Sequence, residues 1–185
     1  MISGRVIVMV GMLAFGVGTQ PQETKVKQPT VKGCGQVVST RPGDGPVYRG
    51  AVENSDYDFS AQVPLGLTGW GGVAESAPFH GFTIFLDPKA KSCIMFEVRI
   101  RVNESDALAQ PPKSKPISLG KATGWQTSYT GIVNGIRLTN VATTFSFKQP
   151  DQIDDGVVLL VAPAPNAQDA LGIYDSFLRS LVFGH

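Results

Sequence analysis

Apolar residues return at every second position through most of this chain, and at every third or fourth position only once, near its end. Ile94, Phe96, Val98, Ile100 and Val102 alternate with Met95, Glu97, Arg99 and Arg101. Tyr57, Phe59, Ala61 and Val63 alternate with Asp58, Ser60 and Gln62, and Pro64 ends that run. Alternation of this kind makes a strand with one face buried. Phe82–Leu86 reads as a further strand, paired with Ile94–Val102 in an antiparallel hairpin. Val47–Val52, Ala122–Tyr129, Ile132–Leu138, Val141–Phe147 and Val157–Ala162 complete the set. Asn134-Gly135 and Asp155-Gly156 are dipeptides suited to hairpin turns. The period then changes. Ala167, Ala170, Leu171, Tyr174, Leu178 and Leu181 recur at helical spacing, with Asn166 placed to cap the start and Pro165 ahead of it. One amphipathic helix beside many half-buried strands has a natural solution. We expect an α+β fold: an antiparallel sheet of about six to eight strands with the C-terminal helix packed on one face.

The remaining segments read as connections. Leu65–Val73, with four glycines around Trp70, is expected to be a loop. Asn103–Ala109 suits one or two helical turns, closed by Pro111-Pro112, and Lys113–Pro116 continues as loop. Asp151, Asp154 and Asp155 lack the order of oxygen ligands that a calcium loop requires. They are expected in a solvated turn.

The start of the chain carries a different message. Arg5 is the one charge before Glu23, and the apolar run Val6–Phe15 follows it. Small residues then sit two apart at Ala14, Gly16 and Gly18. A positive start, a short apolar centre and a small-x-small exit form a secretory signal. The run is too short for a spanning helix, which needs about 20 residues. We therefore expect residues 1–18 to be a signal peptide, 19–46 a polar flexible lead, and 47–185 a single α+β domain. The destination would be the periplasm or the extracellular space, with no integral membrane span. Lys32 and the distance from the apolar run argue against a lipid anchor on Cys34.

Charge excludes some partners. The whole chain has 16 Lys+Arg against 15 Asp+Glu, and removal of Arg5 leaves 15 against 15. A neutral chain has no footprint for nucleic acid or anionic lipid. The two cysteines, Cys34 and Cys93, are an even number in an oxidising compartment, which suggests one disulfide. Two separate thiols, with Cys93 buried in its strand, remain the alternative.

Three segments together resemble the Mog1/PsbP-like superfamily and the exported bacterial proteins that share its pattern. They are Tyr57–Leu67, a strand entering a Pro-Leu-Gly turn; Phe79–Leu86, a strand soon after; and the helix ending in Phe177–Phe183. The resemblance spans about Tyr57 to Phe183. It implies an antiparallel sheet flanked by helices and a non-catalytic, partner-binding role. It transfers no site residue. The few helical segments before Ala167 depart from that pattern.

Chemistry offers little. His185 is terminal, and His80 sits at a strand start with no nucleophile motif beside it. A catalytic base would need partners within reach; otherwise its imidazole serves local backbone. No zinc spacing and no phosphate-binding loop occur, so no cofactor or metal is expected. The aromatics Trp70, Trp125 and Tyr129 lie in Gly-rich or polar settings and are candidate binding residues, with His80 beside them as a further candidate. Trp125 and Tyr129, four apart on a strand, share a face. Packing at the edge of the core is the plainer use for both tryptophans. The expected function is a non-catalytic binding or assembly module of the cell envelope, with an envelope protein or polysaccharide as partner. A small secreted hydrolase built around His80, or an inhibitor or immunity-type protein, are the alternatives. Cleavage is expected between Ala14 and Gln20; the intact mass of the exported protein checks this, and retention of Met1 would refute it.

Overall fold

The computed structural model describes residues 47–71, 79–86, 92–101 and 110–184. The side chains of 79, 80 and 99–101 are outside that description. The expected signal peptide, the lead, Cys34 and the possible helical turn at Asn103–Ala109 fall outside the described residues.

Among the described residues, eleven strands and one α-helix follow one another. They are β1 (Val47–Tyr48), β2 (Ala51–Asn54), β3 (Phe59–Gln62), β4 (Gly69–Trp70), β5 (Phe79–Phe85), β6 (Cys93–Arg101), β7 (Lys115–Leu119), β8 (Ala122–Val133), β9 (Ile136–Lys148), β10 (Ile153–Pro163), α1 (Ala167–Ser180) and β11 (Val182–Phe183). A 3-10 turn, Ala164–Asn166, leads into α1. Eight strands form one antiparallel sheet in the order β1-β4-β5-β6-β10-β9-β8-β7. A second sheet has the order β11-β3-β2. This is the expected α+β architecture, with the small sheet as an addition.

Helix α1 and the small sheet cover the same face of the large one. Ala170, Tyr174, Phe177 and Leu178 are the buried residues of α1. They join Phe59, Ala61 and Val63 of the small sheet's side and Phe82, Ile84, Ile94, Phe96, Val98 and Leu160 of the large sheet in one core. Aromatic rings tie the layers together. Phe96 lies 5.0 Å from Phe59, 5.4 Å from Phe82 and 6.0 Å from Phe177, all edge-on or nearly so. Phe183 of β11 closes the group at 4.8 Å from Phe145. Edge-to-face pairs of this kind contribute about 0.5–1.5 kcal/mol each beyond the area they bury.

One buried polar group needed a solution within this core. The Tyr174 hydroxyl points into the sheet and donates to Val158 O at 3.0 Å, while Thr143 Oγ1 lies 2.7 Å away. Gln126 Nε2 donates to Thr143 Oγ1 at 3.2 Å from the next strand. Burial raises the Tyr174 hydroxyl above its ordinary range, so it stays neutral and keeps its proton for this bond.

The β8–β9 hairpin turns where expected. Asn134 and Gly135 both have positive φ, 51° and 78°, between the pair Val133 and Ile136. That is the geometry a two-residue hairpin demands. Asp155-Gly156 is a correction. It is no turn but the interior of β10, with Asp155 opposite both Arg99 and Ser146. The turn falls earlier, where Gln149 N donates to Gln152 O at 2.9 Å. Gly156 is required for packing: a Cβ there would sit 2.1 Å from Phe145 Cζ. The expected solvated acidic turn holds for Asp151, which is exposed between β9 and β10, and fails for the other two carboxylates. Asp154 is fully buried and Asp155 nearly so, at 0% and 6% exposure. Gln149 Nε2 donates to Asp154 Oδ2, and Gln152 Nε2 donates to Asp154 Oδ1 at 2.9 Å.

Three smaller corrections follow from sheet edges and caps. The expected loop Leu65–Val73 contains β4, which places Trp70 on a strand opposite Val47 and Thr83. Lys115 and Pro116, expected in a loop, begin β7. This strand is at the sheet edge, where proline's missing N–H does no harm. Asn166 occupies the N-cap position of α1 but makes no side-chain cap bond; the preceding 3-10 turn feeds the helix instead.

Helix α1 should be structural. Leu178 is 4% exposed, and Leu178→Ala should cost about 2–5 kcal/mol in denaturant unfolding. The carboxyl of Asp154 is raised from its ordinary 3.8, first by burial and, less, by Asp155, against the lowering effect of both glutamines. A folded-state carboxyl pKa above the unfolded value means the folded state binds more protons. Its contribution therefore becomes less favourable as pH rises from about 3.8 through the raised value. Stability of the wild type relative to Asp154→Asn, measured by urea unfolding from pH 3 to 8, should fall across that window and level off above it.

Candidate functional site

The two faces of the large sheet have different fates. The inner face holds the core described above. The other is built from the alternate residues of the same strands, because directly paired residues project to the same side. Pairing defines its rows. Tyr129, Asn140, Val161, Cys93 and Phe85 form one row across β8, β9, β10, β6 and β5. Thr127, Ala142, Leu159, Met95, Thr83 and Trp70 form the next, which ends at Val47 on β1. Trp125, Thr144, Val157, Glu97 and Gly81 form the third. Pro116 of β7 lies beside Trp125 at the edge.

The structure thus brings Trp70, Trp125 and Tyr129 to one face, the outer face of the large sheet. All three are half-buried. They do not form one pocket. Trp70 and Trp125 are five strands apart in the sheet order, about 24 Å at the usual strand spacing. Trp125 and Tyr129 are four residues apart on β8, about 13 Å. They bracket a strip with Thr127 between them, and with Thr144, Ala142 and Asn140 alongside on β9. His80 is not part of it. It lies in β5 opposite Val98, in the register alternate to the rows that carry the aromatics.

The middle of this face is apolar and shielded. Cys93 and Val161 have 0% exposure and Leu138 has 6%. Phe85, Met95, Val133 and Leu159 pack against them. Sequence reasoning missed this second cluster. Its signal was the continuous apolar run Val157–Val161, which suits a strand buried on both faces. Three polar atoms share the face. Thr83 Oγ1, Tyr129 Oη and Asn140 Oδ1 are buried and have no hydrogen-bond partner among the described residues. A buried unpaired group of this kind costs about 1–3 kcal/mol. Burial also pushes the Tyr129 hydroxyl above its ordinary pKa, so it remains a neutral donor. Such a surface can stack, exclude water and offer a few directed hydrogen bonds. Among the described residues, no three His, Cys, Asp or Glu gather as metal ligands, and no helix is long and apolar enough to cross a membrane.

No protein-family model matches the chain, and no curated protein matches it in sequence. Solved structures do match in shape. One is LpqN of Mycobacterium tuberculosis, a protein involved in cell envelope biogenesis. It is 13% identical, with a TM-score of 0.57, over 77% of this chain and 94% of LpqN. A Bacteroides thetaiotaomicron structure is 7% identical, with a TM-score of 0.47, over 74% of this chain and 49% of that one. At these identities, what this chain shares with the cell envelope protein LpqN is its fold.

Proposed function

We propose that this protein is a non-catalytic binding module of the cell envelope, and that the outer sheet face is its recognition surface. The observation that carries this reading is the strip of Trp125, Thr127 and Tyr129, flanked by Pro116 at the sheet edge. Aromatic side chains offer large contact area with little entropy loss on binding, and tryptophan and tyrosine dominate the energetics of many interfaces. The strip alternates stacking groups with threonine hydroxyls. That combination suits a partner with both apolar surface and hydroxyls or amides, namely an envelope protein or polysaccharide. Trp70 sits on the same face at the far edge and serves as a second contact for an extended partner.

Export belongs to the same proposal. Residues 1–18 leave as a signal peptide, and Cys34 pairs with Cys93 in the oxidising compartment beyond. Two facts support the pairing. The chain has two cysteines, and none of the described ones is a free thiol. The Mog1/PsbP-like resemblance and the likeness in fold to LpqN are both compatible with an envelope role.

The test is capture of partners by the mature protein from envelope extract, with protein and polysaccharide fractions assayed separately. Trp125→Ala should weaken capture at least about tenfold, equivalent to about 1.4 kcal/mol, and leave the circular dichroism spectrum unchanged. Capture as strong as the wild type's would remove the strip from the recognition surface. Turnover of a sugar, peptide or ester substrate that His80→Ala abolishes would replace the module with an enzyme.

A further inference from the structure

The large sheet ends on a strand that is only half covered. β7 pairs with β8 from Ala122 to Gln126, where Lys115 stands opposite. From Thr127 to Val133, β8 pairs with β9, and no strand among the described residues lies on its other side. Two observations fix the phase of this edge. The two-residue turn Asn134-Gly135 makes Val133 and Ile136 a bonded pair. The odd-numbered residues of β8 therefore direct their N–H and C=O groups to β9, and the even-numbered ones direct theirs away. Pro116, which has no N–H, stands opposite Trp125, as that phase requires. Ser128, Thr130 and Ile132 thus present their backbone groups at an open edge. All three are exposed, Ile132 at 70%. Such an edge is a template for another strand, and proteins ordinarily blunt it with charge or proline. β7 carries Lys115 and Pro116. From Ala122 to Ile136 there is neither a charge nor a proline.

We infer that this edge takes a second copy of itself: two molecules pair β8 to β8, antiparallel, about a two-fold axis at Gly131, and their large sheets become one. A two-fold contact sets the segment against the same segment, and the free length selects the register. With the axis at Thr130 or nearer β7, the second copy's turn would fall beside Gln126, where Lys115 already pairs. With the axis at Ile132, only that residue's outward groups would meet. With the axis at Gly131, Thr130 exchanges both N–H···O bonds with the second copy's Ile132, and Ile132 does so with the second copy's Thr130. The second copy's Asn134-Gly135 turn then lies beside Ser128 and Thr127 and stops where β7 begins. The side chains suit this register. Tyr129 stands opposite the second copy's Val133, a favourable aromatic and β-branched pair. Gly131 leaves the close approach at the axis unobstructed. Ile132 meets the second copy's Thr130 directly and its Ile132 diagonally, which covers an otherwise exposed apolar side chain. The absence of charge identifies the occupant. An edge kept for a foreign strand can carry charge complementary to it, whereas an edge that meets its own copy sets each charge near a like one. Pairing also joins the outer faces, so that the two strips of Trp125, Thr127 and Tyr129 border one continuous surface.

Sedimentation velocity of the purified protein should show a reversible monomer–dimer equilibrium with Kd below about 1 mM, as befits a contact at the small end of interface sizes. Thr130→Pro removes one outward N–H and no bond within the chain, a change that an edge strand tolerates. It should weaken the dimer at least about tenfold and leave the circular dichroism spectrum unchanged. Ile132→Lys, which brings two like charges together across the axis, should do the same without touching the backbone. Gly131→Cys locates the axis. The two Cα atoms there would be about 4.5 Å apart, within the range a disulfide spans. A Cβ at Gly131 makes only an ordinary contact, 3.7 Å from Asn140 Nδ2. Mild oxidation should therefore give a reducible dimer from Gly131→Cys, and none from the wild type or from Thr123→Cys, which lies beside β7 on the same strand. A wild type that stays monomeric up to about 1 mM, with Gly131→Cys cross-linking no faster than Thr123→Cys, would overturn the inference. So would a dimer that both Thr130→Pro and Ile132→Lys leave intact. A monomeric wild type whose capture of an envelope protein is lost in Thr130→Pro would give the edge to a strand of that protein instead. Trp125 lies outside the free edge, so Trp125→Ala should dimerise normally, and loss of capture with the dimer intact separates this contact from the recognition strip.

Discussion

Phe96 is the point on which the three layers of this protein meet. Its ring touches Phe82 on the neighbouring strand, Phe59 beneath the small sheet and Phe177 on the helix. Phe145 stacks across from it at 6.5 Å. Remove that ring, and the helix and the small sheet lose the surface that sets their distance from the large sheet. The hydrogen bonds at the helix end depend on the same spacing. Ser180 Oγ accepts from Gln62 N at 3.0 Å and donates to Phe177 O at 2.7 Å, which locks the end of α1 to β3. Burial sets the layers' separation, and the polar links then fix the register.

With its inner face committed to helix and small sheet, the large sheet has one face left for anything else. That is why the candidate site has the form of a surface and not a cleft. A half-buried aromatic strip on a long strand is held rigidly by its neighbours on β9 and β7. Contacts from such a strip need little reorganisation on binding.

Much of the architecture was legible because half-exposed strands declare themselves by alternation. Phe59, Ala61 and Val63 are buried as their spacing implied, and so are Ile94, Phe96 and Val98. Helix α1 was legible through the change of period, and Tyr174 and Leu178 are buried as expected. Dipeptide turn signals were less dependable. Asn134-Gly135 turns because its flanking strands end there. Asp155-Gly156 does not, because strands on both sides hold it and Phe145 occupies the space that a side chain would need. The strand β7 was hidden by Pro116, which only an edge position tolerates. The shared face of Trp125 and Tyr129 followed from parity on one strand. Adding Trp70 to it required the register across six strands, and no local pattern encodes that.

The pairing of β11 with β3 has a consequence for the order in which the fold can close. Val182 pairs with Ser60, and Phe183 pairs with Phe59. Phe183 also bridges Gly120, and Lys121 N donates to Phe183 O at 2.9 Å. The small sheet, whose other strands β2 and β3 come early among the described residues, is therefore incomplete until Val182 and Phe183 join it. Closing contacts across that much sequence is slow. Two residues so far along the chain therefore act as a latch: until they dock, β3 has one open edge and the core lacks the ring that packs on Phe145 and Phe147.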